Sequence, residues 1–166
     1  LPGVAEVGGF FGDEEVRGTS EFALLGEQVD AATLMFDVFD TFAEGLSPNP
    51  AGVDGLFGQG PYEGAVNVFA YVADGVESIS DYEITPLRET PILTIHVDSQ
   101  IAGGDTFSVD VTDIYNNLIA DSAVGLGVRL QTEPSNPDAG AITFTDFRLD
   151  LQSVPEPESS LLILCG

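Results

Sequence analysis

Along most of this chain apolar and polar residues alternate with a period of two, the pattern of strands that bury one face. Residues 31–40 (AATLMFDVFD) place Leu34, Phe36 and Val38 on one face. Residues 64–73 (GAVNVFAYVA) set Val66, Val68, Ala70 and Val72 against Asn67, Phe69 and Tyr71. Residues 92–98 turn Leu93, Ile95 and Val97 inward and Thr94, His96 and Asp98 outward; residues 106–112 do the same with Phe107, Val109 and Val111. Residues 124–132 supply Leu126, Val128 and Leu130. In residues 141–151 the apolar set changes phase between Phe144 and Phe147, which predicts a bulge near Thr145-Asp146. The spacing predicts one helix, with Thr112 as its cap, Asp113 in its first turn, the pairs Ile114/Leu118 and Tyr115/Ile119 on one side, and an end before Asp121. Residues 4–25 read equally as strand or loose arm. Six clear strands and two or three weaker ones predict an all-β fold, an antiparallel two-sheet sandwich of jelly-roll type with one short helix.

The connections are rich in Gly, Pro, Asn and Asp, and the longest, residues 45–62, is a surface loop long enough to carry function. The expected division is an N-terminal arm or edge strand over 1–30, the sandwich over 31–152 and a tail over 153–166. Charge narrows the partners. The chain holds 28 Asp and Glu against 4 basic residues, all of them Arg, for a net charge of −24. Such a field repels phosphate backbones and anionic lipid, which argues against nucleic-acid binding. It also strains the compact state by self-repulsion. No apolar run approaches the roughly 20 residues of a membrane-spanning helix. Cys165 is the sole cysteine, so no intrachain disulfide forms.

Catalytic chemistry is thinly supplied. His96 is the only histidine, it sits mid-strand, and no G-x-S-x-G elbow accompanies it. One His and one terminal Cys do not make a structural zinc site. Calcium, an oxygen-seeking cation, is the cofactor that the acidic turns suit best. Two neighbourhoods are candidates: Asp74, Glu77 and Asp81, and Asp105, Asp110 and Asp113. Their bland alternative is solvation of a strand face and charge at the helix start. No cofactor is required by the sequence.

Two resemblances add to this reading. Val154-Pro155-Glu156-Pro157, followed by Glu158-Ser159-Ser160 and the apolar residues 161–164, resembles the PEP-CTERM sorting signal of secreted bacterial proteins. The resemblance implies export and processing at the cell surface, and a start at Leu1 fits a mature product. The body resembles the DNRLRE-type β-sandwich domains through Ala32, Leu34 and Phe36; Val66, Val68 and Phe69; Asp110, Val111 and Thr112; and Phe147 and Leu149. That family includes carbohydrate-binding members, although this chain lacks the tryptophans usual there. The expectation is a secreted, non-enzymatic structural protein of the cell surface or extracellular matrix. It would self-associate into filaments, with Val4, Val7, Phe10 and Phe11 donated as a strand to a neighbour's sheet. On that view, deleting residues 1–13 leaves a folded monomer. The alternative is a polysaccharide-binding module, calcium-dependent in one form, with an aromatic platform on Phe69, Tyr71 or the 45–62 loop.

The charge imbalance has a direct consequence. Raising ionic strength from about 0.01 M to about 0.15 M shortens the screening length from about 30 Å to about 8 Å. The thermal midpoint, followed by calorimetry, is expected to rise by several degrees over that range. A midpoint indifferent to salt would show that self-repulsion does not strain the fold.

Overall fold

The computed structural model describes residues 3–10, 14–56, 60–133 and 140–153. These form two antiparallel sheets packed face to face, as the alternation predicts. The five-stranded sheet has the order β2-β1-β9-β4-β7, and the four-stranded sheet the order β3-β8-β5-β6. The strands are β1 (Val4–Phe10), β2 (Glu14–Val16), β3 (Gly18–Ala23), β4 (Val29–Val38), β5 (Gly64–Ala73), β6 (Leu93–Val97), β7 (Thr106–Asp110), β8 (Gly125–Glu133) and β9 (Ala141–Ser153). The pairings nest: β5 with β6 innermost, then β4 with β7, β3 with β8, and β1 with β9 outermost.

The core lies between the sheets. Val7, Leu34, Phe36, Val38, Ile142 and Phe144 face Val66, Val68, Leu126, Val128 and Leu130. Phe36 anchors an aromatic cluster, edge-on to Phe144 at 5.5 Å and stacked on Phe147 at 5.2 Å. Phe36 and Phe147 meet because of the expected bulge. The register runs from Met35 opposite Arg148 to Asp37 opposite Thr145, so β9 carries one extra residue. Asp146 takes it up at φ 51°, a left-handed conformation that Asp tolerates better than most residues. Beside the bulge, Arg148 reaches Asp37 through two contacts of 3.2 and 3.3 Å. The Thr106 hydroxyl and then this guanidinium hold the Asp37 carboxyl below its ordinary pKa.

Helix α1 (Thr112–Ala120) closes one end of the sandwich with Ile114, Tyr115 and Leu118. Its start differs from expectation. Val111 is the cap residue, and the Asp110 carboxylate accepts the Thr112 N–H at 2.8 Å and its hydroxyl at 2.6 Å. The Thr112 oxygen is thereby turned to β4, where it accepts the Ala32 N–H at 2.9 Å. Asn116 exchanges two hydrogen bonds with the Val29 backbone, at 2.9 and 3.0 Å.

The N-terminal segment, expected as an arm or edge strand, supplies β1, β2 and β3 to the same two sheets, with β2 and β3 at their edges. β1 pairs with β9 on one side and β2 on the other. Val7 is fully buried, and Val4 stands opposite Thr145. Phe10 ends β1, and Phe11 lies outside the described residues. β1 is bonded to β9 through residues 4–8 and to β2 through residues 8–10, so it is committed to its own sheet. Deleting residues 1–13 is therefore expected to abolish cooperative folding. The milder Val7→Ala should cost about 2–3 kcal/mol in urea denaturation. A folded deletion variant with an unchanged midpoint would contradict this placement of β1.

Candidate functional site

The most elaborate polar arrangement covers the outer face of the four-stranded sheet. Register aligns Thr19, Arg129 and Phe69 in one row and Glu21, Gly127 and Tyr71 in the next. The Tyr71 ring lies across Gly127, where an added Cβ would come within 2.2 Å of the ring. That space lets the Tyr71 hydroxyl cross β8 and donate to Glu21 Oε1 at 3.2 Å. Glu21 Oε2 accepts the Gly75 N–H at 2.9 Å, and the Glu21 N–H donates to Glu77 Oε1 at 3.2 Å.

Residues 74–92 run over this face as a strap containing a short 3-10 turn, Ile79–Tyr82. Arg129 rises from the sheet at 6% exposure and donates from Nη1 to the carbonyls of Ile84 at 2.7 Å and Tyr82 at 3.1 Å. Arg17 donates to the Tyr82 carbonyl at 2.8 Å, sits 4.5 Å over the Tyr82 ring and pairs with Glu15 at 3.1 Å. The Tyr82 hydroxyl donates to the Glu15 carbonyl at 2.7 Å. The Leu87 N–H reaches the Ala70 carbonyl at 2.8 Å. Burial and then the neighbouring Arg17 lower the Arg129 pKa, while the Glu15 hydrogen bond raises that of Arg17. Both stay charged, as guanidinium does in proteins.

Burial pushes the Glu21 carboxyl up, against its bonds from Tyr71 and Gly75, and burial then the Glu21 charge push the Tyr71 hydroxyl up. For Glu21 the folded state holds the proton more tightly than the unfolded one. This group therefore costs stability above its folded pKa and ceases to do so as pH falls through it.

The expected calcium ligands are not brought together. Among the described residues, no three His, Cys, Asp or Glu side chains form a metal-holding group. Asp74 accepts the Val76 N–H at 2.9 Å, Glu77 is bound to Glu21, and Asp81, 2% exposed, accepts the Ser78 N–H at 2.7 Å. Asp105 accepts the Ala102 N–H at 2.9 Å, and Asp110 serves Thr112. Each of these five carboxylates satisfies a backbone donor. Asp110 and Asp113 do line one cleft of about 280 Å³, opposite the exposed Arg88 and beside Pro91 and Ile92. His96 is exposed on β6 opposite Ala65.

Among the described residues, the aromatics named for a platform are at least partly covered, and Phe57 of the 45–62 loop lies outside the described residues. Tyr62 is buried and donates to the Ala65 carbonyl at 3.0 Å; Tyr71 lies under the strap; Phe69 is half-buried. The motif Val154, Pro155, Glu156, Pro157 lies outside the described residues. Among the described residues, no helix is long and apolar enough to cross a membrane. No protein-family model matches the chain, and no curated protein matches it.

Arg129 was legible only as an outward strand residue, and its use as a clamp needed the strap in place. Arg129→Met keeps most of the apolar stem and removes the guanidinium. It is expected to cost about 2–4 kcal/mol in urea denaturation, since bonds from a charged donor contribute about 1.5–3 kcal/mol each, and to open residues 74–92 to limited proteolysis. Glu21→Gln should raise the midpoint at neutral pH, with the difference vanishing as pH falls through the Glu21 titration. An Arg129→Met protein as stable and protease-resistant as the parent would show that the strap is held by other contacts.

Proposed function

We propose that this chain is a non-enzymatic structural module of an exported surface or matrix protein, a jelly-roll sandwich that associates with copies of itself. The nested strand pairing supports the jelly-roll reading. The observation that carries the proposal is the contrast between the two flanks of the sandwich. On one flank the edge strands β2 and β3 are joined through the single residue Arg17, and Glu77 takes the Glu21 N–H of β3. On the other, β6 and β7 are the edge strands, each paired on one side only among the described residues. Edge strands with unpaired backbone groups are templates for another chain. This flank replaces the donated N-terminal strand as the contact surface, because β1 is held inside its own sheet.

A net charge of −24 opposes contact between copies, so assembly should require screening. Size-exclusion chromatography with light scattering is expected to show monomer at low ionic strength. Concentration-dependent larger species should appear at about 0.5 M salt, where screening is strong. His96→Asp with Ser108→Asp places a charge on each edge strand at exposed positions and should keep the protein monomeric throughout. A parent protein that stays monomeric at every salt and protein concentration would overturn the proposal.

A further inference from the structure

The edge strands β6 and β7 are not alike. β7 pairs with β4 in one unbroken register, from Thr33 opposite Asp110 to Asp37 opposite Thr106. Bonds beyond both ends fix its phase. The Val111 N–H donates to the Ala32 carbonyl at 2.9 Å, and the Val38 N–H donates to the Asp105 carbonyl at 2.8 Å. Because the antiparallel pattern alternates, Phe107 and Val109 exchange bonds with β4, and the backbone groups of Thr106, Ser108 and Asp110 point to the far edge. No strand lies beyond that edge among the described residues. Phe107 and Val109 pack against the core yet are only half-buried. On β6, Ile95 and Val97 are buried, and Leu93 at its start is half-buried. β7 thus offers unpaired backbone groups together with apolar surface still to be covered. Its sequence TFSVD holds no proline and no basic residue, two devices that block pairing at an edge.

We propose that β7 pairs antiparallel with β7 of a second copy of this chain, about a two-fold axis at Ser108. The proposal rests on the edge-association reading and commits it to one strand and one register. Antiparallel pairing of identical segments makes the contact isologous. The register centred on Ser108 uses all five residues of β7. It sets the outward backbone groups of Thr106, Ser108 and Asp110 against those of Asp110, Ser108 and Thr106 of the second copy. Phe107 then faces Val109 of the second copy in the closer, non-hydrogen-bonded positions, where the half-buried side chains cover one another. Asp110 stands opposite Thr106, an uncharged neighbour. An axis at Asp110 would oppose two carboxylates instead, which is destabilising. The contact joins two five-stranded sheets into one continuous sheet.

The test is sedimentation equilibrium of the full chain at about 0.5 M salt, where self-repulsion is screened. A charge on the axis faces its own copy. Ser108→Arg and Ser108→Asp should therefore both weaken dimerisation about threefold or more, although they move the net charge in opposite directions. Thr106→Arg faces Asp110 of the second copy and should tighten the dimer by a similar factor. Both positions are exposed, so each variant should keep the circular dichroism of the parent. If Ser108→Arg tightens association as Thr106→Arg does, charge acts through the net field alone and the two-fold register is wrong. Association that none of the three variants alters would take β7 out of the contact and leave the edge reading to β6. A parent that is monomeric at every concentration and salt would end both.

Discussion

The hydrogen bonds from Arg129 to the Tyr82 and Ile84 carbonyls are the constraint on which the four-stranded side of this molecule depends. A guanidinium on the central part of a sheet face must be solvated or paired. Here the strap supplies the carbonyls, and in doing so it covers Tyr71 and Gly127 as well. Burial then extends to both faces of β8, where residues 125–130 are all buried. The chain uses its few cations in this way repeatedly. Arg17 joins β2 and β3 to the strap, and Arg148 joins the bulge in β9 to Asp37 on β4. In a chain of net charge −24, positive charge placed between elements distant in sequence offsets repulsion where packing is tightest.

The same logic separates what the sequence discloses from what it hides. β4 through β9 were readable because one face of each lies in the core and carries an unbroken row of aliphatic or aromatic residues at a period of two. The bulge was readable because a change of phase has no other simple cause in a paired strand. β1 was legible as a strand but not its place in its own sheet, and β2 and β3 stayed open between strand and arm, because Gly8, Gly9, Gly18, Glu14, Glu15 and Arg17 dilute the apolar row. Gly18 is small because its neighbour is Ala5 on the facing sheet, 2.5 Å from where a Cβ would stand. That contact joins residues of two different sheets and leaves no mark in local periodicity.

The acidic groups read from the sequence and the contacts made across the fold differ in their reach along the chain. Acids close in sequence suggested cation sites, yet Asp74, Asp105 and Asp110 each turn back onto a backbone N–H two or three residues away. Short polar side chains in turns prefer that local bond. The groups that do converge, Glu6 with Thr143 and Arg129 with Tyr82, come from elements far apart in the chain. They meet only because the nested pairing brings the first strand beside the last and lays the long connections over the outer faces.

The surface is thereby divided. Both outer faces are partly closed by pinned connections, Arg17 links the edge strands β2 and β3 on one flank, and on the other β6 and β7 have no second pairing partner among the described residues. Amide hydrogen exchange read by mass spectrometry tests that division most directly. Slow exchange is predicted for residues 79–87 and 126–130, with fast exchange along β6 and β7 that slows when protein concentration and salt are raised together. Exchange in the strap as fast as in the turn of residues 98–105, or a β6–β7 flank already protected in the dilute monomer, would contradict the account.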